Sequence, residues 1–195
     1  MTNAKGVFSS LLAEYTILAC SYFCKDVPRL MAQKERGEWN KFCVGELRGK
    51  TMGIIGYGMC RISTSCAGLQ RSALHFENLQ GVVVCLFFLS GDIGRAVATL
   101  AKAYGMRVVG LRRRPDMSSN DPLLDELVGV DQLKAVMAQS DYVVVAAALT
   151  PQTRGMIGAS ELAAAKQGYA NADEWRCSIG KSFNCRYWRE FAGRY

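Results

Sequence analysis

The sequence predicts an α/β protein built on a doubly wound parallel sheet, and three stretches carry this prediction. Thr51–Ile55 is a short apolar run that enters a glycine turn, which is typical of a buried strand in a parallel sheet. Residues 92–105 place apolar side chains at helical spacing and end at a glycine. Residues 141–148 form a second apolar run of strand length. Strands that alternate with helices predict a parallel sheet with helices on both faces.

Two helices are predicted ahead of the first strand. Ser9 or Ser10 can cap a helix that runs to about Cys24, and apolar side chains cover much of its circumference. We expect such a helix to have partners on more than one side. A second, charged helix is predicted from about Val27 to a stop at Gly37.

The elements after the glycine turn continue the alternation. Residues 106–111 predict a strand, which a proline-containing loop at 112–122 follows. A short helix is predicted near 123–127, and Asp131 is expected to cap a further helix that ends at about Gln139. Residues 160–166 predict the last helix.

The glycine turn is one half of an interrupted motif. Gly56-Tyr57-Gly58 supplies the first two glycines of GxGxxG, but Arg61 stands where the third is expected. Asp92-Ile93-Gly94 completes the motif if residues 59–91 are left out. The three glycines allow a tight turn, close approach of the backbone to a pyrophosphate, and close packing of helix on strand. We therefore expect either a dinucleotide site whose ends meet around the insert, or a site that the insert spoils.

The composition of residues 59–91 differs from that of their flanks, and two origins are possible. The codons around Gly58 can contain a splice donor, and those of 86–91 can form a pyrimidine-rich tract with a splice acceptor. We hypothesise a retained intron that spans a whole number of codons. The alternative is a true insertion, in which residues 82–89 supply the strand ahead of Gly94.

Residues 173–195 also depart from the pattern of the preceding chain. A shift of one base lets the codons of 173–181 encode a segment that begins Gly-Arg, so a frameshifted or mis-spliced end is a second hypothesis. A poorly packed tail is the alternative. Neither origin gives residues 173–195 an expected function.

Composition and charge narrow the class of protein. Half of the 195 residues are hydrophobic, which is enough for a sizeable core. The net charge is +7, but apart from residues 112–114 the basic residues are scattered, so we expect no nucleic-acid partner. The eight cysteines contain no CxxC pair, and His75 is the only histidine, so neither a metal site nor a disulfide framework is expected. No apolar run has the length of a membrane span, and we expect a soluble, cytoplasmic protein.

The motifs, taken together, resemble those of the D-isomer-specific 2-hydroxyacid dehydrogenases. The segments that carry the resemblance are residues 49–58 joined to 92–98, 149–158 and 161–164, and it covers roughly 3–58 and 92–168. It implies a Rossmann NAD(P)-binding domain inserted in a smaller substrate domain. It further implies hydride transfer between a nicotinamide cofactor and a 2-keto acid, and a homodimer built largely on the nucleotide-binding domain. The first half of the substrate domain would be absent here, so the fold is expected to be truncated.

On this resemblance the chain divides into three parts. Residues 1–46 are expected to be N-terminal helices left from the substrate-domain linker and dimer helix. Residues 47–172 are expected to form the Rossmann domain, interrupted by the insert 59–91. Residues 173–195 are a tail that does not match the family.

The resemblance also implies a cofactor site. In the NAD-using members an acidic residue ends the second strand and binds the ribose hydroxyls; Arg112 stands at that position here. Arginines suit a 2′-phosphate, so we predict NADP (NADPH) in preference to NAD, with a solvated basic loop as the alternative. The expected cofactor-binding residues are Gly56, Tyr57, Gly58, Asp92, Ile93, Gly94, Arg112, Arg113, Thr150 and Thr153.

No catalytic residue can be assigned. The family's arginine, glutamate and histidine have no match, because His75 lies in the insert and Arg176 in the tail. Ala148 replaces a proline of the family's motif. We therefore expect a chain without turnover, and a non-catalytic dinucleotide-binding or dimerising module is the alternative function.

Overall fold

The computed structural model describes residues 8–58, 83–84, 92–113, 121–147 and 151–166. Within these ranges five strands form one parallel sheet in the order β2-β5-β1-β3-β4. The strands are β1 Thr51–Ile55, β2 Val83–Val84, β3 Arg107–Leu111, β4 Glu126–Val128 and β5 Tyr142–Val145. The helices are α1 Ser9–Cys24, α2 Val27–Arg36, α3 Asp92–Ala103, α4 Leu133–Gln139 and α5 Ala159–Ala163. The predicted doubly wound parallel sheet is confirmed.

The sheet divides the buried side chains into two layers. On one face Met52 and Ile54 of β1 pack with α1 and α3, and on the other face Ile55 packs with α4. Alternate residues of a strand point to opposite faces, and both faces of β1 are covered, so all five of its residues are buried. This is why the sequence of β1 lacks polar alternation.

Helix α1 packs mainly on α3 and also contacts α2 and β2. Leu12, Ile17 and Cys20 are buried, whereas Leu11 and Leu18 are 49 % and 62 % exposed. The expectation that α1 has partners on more than one side is therefore met in part, because α2 and β2 also contact α1 while Leu11 and Leu18 stay exposed. Among these same residues, no helix is long and apolar enough to cross a membrane.

The two predicted helix caps are wrong. Ser9 is the first residue of α1, and the residue ahead of it is Phe8, which makes no side-chain capping bond. Asp131 lies in a 3-10 turn, Val130–Gln132, and α4 begins two residues later without a side-chain cap. Both helices are instead held by the packing of their apolar faces, which does not require a polar residue at the first turn.

The short helix predicted near 123–127 is also wrong, because this segment enters the sheet as β4. Leu127 lies opposite Gly110 of β3 in the parallel register. Asp125 fixes the entry: the Val108 amide donates to Asp125 Oδ2 at 2.7 Å, and the Asp125 amide donates to the Val108 carbonyl at 2.9 Å. Pairing with a distant strand has overridden the local preference of a leucine-rich segment.

A second aspartate holds the start of β1 in the same way. The Thr51 amide donates to Asp141 Oδ2 at 2.8 Å, and Lys166 Nζ donates to the other carboxylate oxygen at 2.9 Å. Lys102 supplies the matching contact to Asp125, at 2.7 Å. Each carboxylate thus satisfies a backbone donor at the amino end of a strand, where the parallel ladder leaves one unpaired.

The insert contributes one described strand, β2, which pairs with β5 at the edge of the sheet. The strand that leads into the glycine turn is β1, at the centre. Residues 83–84 thus supply a strand ahead of Gly94, as the true-insertion alternative expects, but this strand lies at the edge of the sheet and does not lead into the glycine turn.

Candidate functional site

The candidate site begins at the carboxyl end of β1, where the chain makes its glycine turn. The amides of Gly56 and Tyr57 both donate to the carbonyl of Leu111, at 2.9 and 3.0 Å. Gly56 has φ +97°, and a Cβ added there would lie 2.5 Å from the amide nitrogen of Ala147. Only glycine can therefore occupy this position, between the ends of β3 and β5.

The third glycine reaches the same turn although the insert separates it in sequence. A Cβ added at Gly94 would lie 3.2 Å from Ile54 Cγ2 and 3.5 Å from Tyr57 Cα. The first turn of α3, which contains the half-buried Asp92 and the buried Ile93, therefore lies against β1 and the glycine turn. Of the two outcomes expected from sequence, the ends meet around the insert.

Arg112 lies over the second glycine. Gly58 has φ +129°, and a Cβ added there would lie 3.1 Å from Cζ of Arg112. Arg112 follows the last residue of β3, and its amide donates to the Val128 carbonyl at 3.1 Å. Arg112 thus stands next to the glycine turn, where the sequence predicted a 2′-phosphate contact, and the exposed Arg113 follows it in the chain.

Tyr57, between the two glycines, makes a contact that the sequence did not predict. Its ring is buried, and its hydroxyl donates to Asp121 Oδ2 at 2.7 Å. The same carboxylate accepts from the Leu123 amide at 3.1 Å and lies 3.9 Å from Arg95 Nη2. Neither Asp121 nor Arg95 was assigned a role from sequence, although Arg95 stands directly after Gly94 in the motif.

This cluster shifts the pKa of both its acidic groups. Burial and the bond to Asp121 raise the pKa of Tyr57 far above its ordinary value. Burial also acts to raise the pKa of Asp121, but the bonds from Tyr57 and the Leu123 amide, with the charge of Arg95, outweigh it and lower that pKa. At neutral pH the pair is therefore a neutral phenol bound to a carboxylate.

The remaining predicted residues are placed only in part. Thr153 is half-buried in the turn that follows β5, and the Met156 amide donates to its carbonyl at 3.2 Å. Thr150 lies outside the described residues, as do His75, Arg114, Ala148, Arg176 and the tail 173–195. In the part of the chain that the structure describes, no group of histidine, cysteine and acidic side chains could hold a metal ion.

A glycine turn at the end of a central parallel strand, with a helix starting against it, defines the Rossmann class of nucleotide-binding domains. The sequence profile of the D-isomer specific 2-hydroxyacid dehydrogenase, NAD binding domain, matches residues 66–170, more than half of the chain. The chain therefore belongs to this family and carries its NAD-binding domain, as the sequence motifs predicted. The matched range starts within the insert, so the place of β1 and its glycine turn rests on the structure.

Two individual proteins show the extent of the similarity. The D-3-phosphoglycerate dehydrogenase of Methanocaldococcus jannaschii is 27% identical over 182 residues, which are 92% of this chain and 28% of that protein. A glycerate dehydrogenase related protein from Thermoplasma acidophilum superposes with a TM-score of 0.59 at 28% identity, over 83% of this chain and 43% of its own.

A third relative shares the fold at lower identity. The NADPH-dependent glyoxylate/hydroxypyruvate reductase of Sinorhizobium meliloti has a TM-score of 0.58 at 18% identity, over 85% of this chain and 64% of its own. The chain thus spans less than a third of the first curated relative and about two fifths of the first solved structure.

Proposed function

We propose that this chain binds a nicotinamide dinucleotide at the glycine turn and prefers NADP(H) to NAD(H). The observation that carries the proposal is the meeting of Gly56, Gly58 and Gly94 beside the Arg112 guanidinium. The residues fit the cofactor, because glycines stand where a pyrophosphate must approach, the side chain over Gly58 is the cation of Arg112, and the first turn of α3 lies at the same place.

The proposed roles follow from the chemistry of each group. The amides of Gly58, Asp92, Ile93 and Gly94 would face the pyrophosphate, which suits the positive end of a helix dipole. Arg112 and Arg113 would bind the 2′-phosphate, since the guanidinium fork matches phosphate oxygens. Thr150 and Thr153 are proposed for the nicotinamide side. The bound cofactor itself would supply the hydride.

Binding of NADPH and NADH to the full chain, measured by calorimetry, tests the proposal. We expect NADPH to bind more tightly, and Arg112→Gln to reduce that preference by about tenfold, as loss of a charge-assisted hydrogen bond does. Arg36→Gln, an exposed arginine on α2, is the matched control and should leave both affinities unchanged. Tighter binding of NADH than of NADPH by the unaltered chain would overturn the preference.

The reaction proposed for the parent enzyme is reduction of a 2-keto acid. The support is the family, together with the name of the Sinorhizobium meliloti neighbour, a glyoxylate/hydroxypyruvate reductase. For this chain we propose binding without turnover, because no catalytic residue could be assigned. Oxidation of NADPH in the presence of glyoxylate or hydroxypyruvate, followed by absorbance, checks this, and steady turnover would overturn it.

A second candidate function, a dimerising module, is favoured by α1. Leu11, Tyr15 and Leu18 are spaced as one helical stripe, and all three are exposed on the side away from α3. We propose that a second copy of this chain or of the full-length enzyme covers this stripe. We also propose a cytoplasmic location, in line with the free thiols of Cys20, Cys24 and Cys43.

For the insert we propose a retained intron. The support is that Gly94 packs against Ile54 and the glycine turn, so the motif is assembled in space although residues 59–91 interrupt it in sequence. For the tail we keep the proposal of a frameshifted or mis-spliced end, and the domain limits 1–46, 47–172 and 173–195 remain proposals with it.

A further inference from the structure

The side chain of Tyr57 links the glycine turn to a carboxylate that comes from beyond β3. A Cβ added at Gly110 would lie 3.3 Å from the Tyr57 Cβ, so the absence of a side chain at Gly110 leaves room for the tyrosine to cross β3. The hydroxyl then donates to Asp121 Oδ2. Asp121 is therefore tied to the residue that stands between the first two glycines.

Asp121 also lies among the positive charges at this end of the sheet. Its carboxylate is 3.9 Å from Arg95, whose side chain is 64% exposed, while its own side chain is 11% exposed. The positive charges of Arg95 and Arg112 both act to lower the pKa of the Tyr57 hydroxyl that Asp121 binds, against the larger effects that raise it. One buried negative charge thus lies beside Arg95, and the Tyr57 hydroxyl bound to it lies near Arg112 as well.

A negative charge at this place opposes an anionic ligand in two ways. It repels a phosphate directly, and it engages Arg95, which could otherwise turn to that phosphate. A free ribose hydroxyl carries no charge, so it is not repelled. The carboxylate is fixed by two neutral donors, the Tyr57 hydroxyl and the Leu123 amide, so a ligand cannot easily displace it.

We infer that Asp121 is a positioning residue that sets cofactor specificity: through Arg95 and Tyr57 it weakens binding of a ribose 2′-phosphate relative to a free 2′-hydroxyl. This inference rests on the proposed dinucleotide site. In its terms, any preference for NADP(H) given by Arg112 and Arg113 is held in check by Asp121, and the ratio of the two affinities can be raised by one substitution.

The test uses two probes that differ by the 2′-phosphate, adenosine 2′,5′-bisphosphate and 5′-AMP, with the full chain. Asp121→Asn keeps the size of the side chain and an oxygen for the Tyr57 hydroxyl. We expect it to tighten the bisphosphate by about threefold to tenfold and 5′-AMP by less than about twofold, as removal of one partly screened charge does. Asp125→Asn is the matched control, an aspartate at the opposite end of the sheet that is also paired with a basic side chain, and it should leave the ratio unchanged.

The outcomes separate this inference from the proposed function. If the unaltered chain binds neither probe, both fall. If it binds them and Asp121→Asn leaves their ratio unchanged, this inference alone falls. Should Asp121→Asn unfold the chain, Arg95→Gln carries the test: it leaves the Asp121 charge without its cation, so it should weaken the bisphosphate and spare 5′-AMP, and an unchanged ratio again overturns the inference.

Discussion

At the scale of single residues, the three motif glycines lack a side chain for three different reasons. At Gly56 the obstacle is the backbone of Ala147, at Gly58 it is the Arg112 guanidinium, and at Gly94 it is Ile54 of β1. A backbone obstacle cannot move aside, whereas a flexible arginine can. The sensitivity to substitution should therefore be greatest at Gly56.

We expect Gly56→Ala to destabilise the fold by at least about 2 kcal/mol, because it combines a positive φ with a backbone clash. Gly49→Ala is the matched control: Gly49 has φ +74°, but an added Cβ would meet no atom within 4 Å. There only the strain of a left-handed residue remains, about 1 kcal/mol. Urea denaturation of both variants checks the difference, and equal losses would contradict the clash.

At the scale of elements, α1 and α3 together form the helical layer on one face of the sheet. Helix α3 buries Val97, Ala98 and Ala101 against β1 and β3, and α1 covers α3 in turn. The outer side of α1 is then left with an apolar stripe. That stripe is the element on which the proposed dimer depends.

We expect the double variant Leu11→Lys and Leu18→Lys to be monomeric where the unaltered chain is a dimer, because the lysines add charge to an interface that excludes water. Both leucines are exposed in the single chain, so the fold should lose less than about 1 kcal/mol. Light scattering after gel filtration measures the mass. Val130→Lys, on the other face of the sheet, is the control and should leave the mass unchanged. A monomeric unaltered chain would contradict the proposal at once.

At the scale of the whole molecule, the insert 59–91 is a long excursion between two groups that touch. Closing a loop of that length costs roughly 3 kcal/mol of chain entropy. The loop returns one described strand, β2, at the sheet edge beside β5. If the cost of closing the loop exceeds the stabilisation from pairing β2 with β5, the fold only tolerates the insert. If the pairing contributes more, the fold depends on it.

We expect a variant without residues 59–91 to fold, with a melting temperature no lower than that of the full chain and NADPH affinity at least as high. The reason is that Gly58 then leads directly to Asp92 and no loop has to be closed. A variant that replaces 59–91 with glycine and serine at equal length keeps the loop and removes β2. It therefore separates the cost of closing the loop from the contribution of β2.

An unfolded deletion variant would mean that β2 is part of the fold, as a true insertion predicts. Sequencing the transcript across this segment gives an independent check. Under the intron hypothesis, a product that lacks these codons is expected. Detection of the long form alone would contradict that hypothesis.

The sequence was sufficient to predict the elements whose signals are local. β1 and α2 have the predicted bounds, and the glycine that stops α2 is Gly37, with φ +66°. An unbroken apolar run marks β1, and a glycine stop marks α2. Both signals lie within the segment whose structure they determine.

The elements that the sequence did not predict depend on contacts between distant segments. Strand β4 forms because Asp125 and Leu127 pair with β3, and α4 begins without its expected cap because packing holds it. The contact between Asp121 and Tyr57 could not be predicted for the same reason, because the two residues are more than sixty positions apart in sequence. Arg95 follows Gly94 directly in the sequence, but only the folded chain places it beside a carboxylate.

The burial of Cys20 makes its thiol a chemical probe of the local opening of α1. Burial, with a smaller contribution from Cys24, raises the pKa of the Cys20 thiol to about 12, and the side chain is fully buried in the core that α1 shares with α3. Alkylating reagents attack the thiolate, so the docked helix protects this sulfur by both shielding and protonation. The rate at which Cys20 is labelled, relative to the rate for the exposed Cys43, therefore reports how often α1 separates from the rest of the domain.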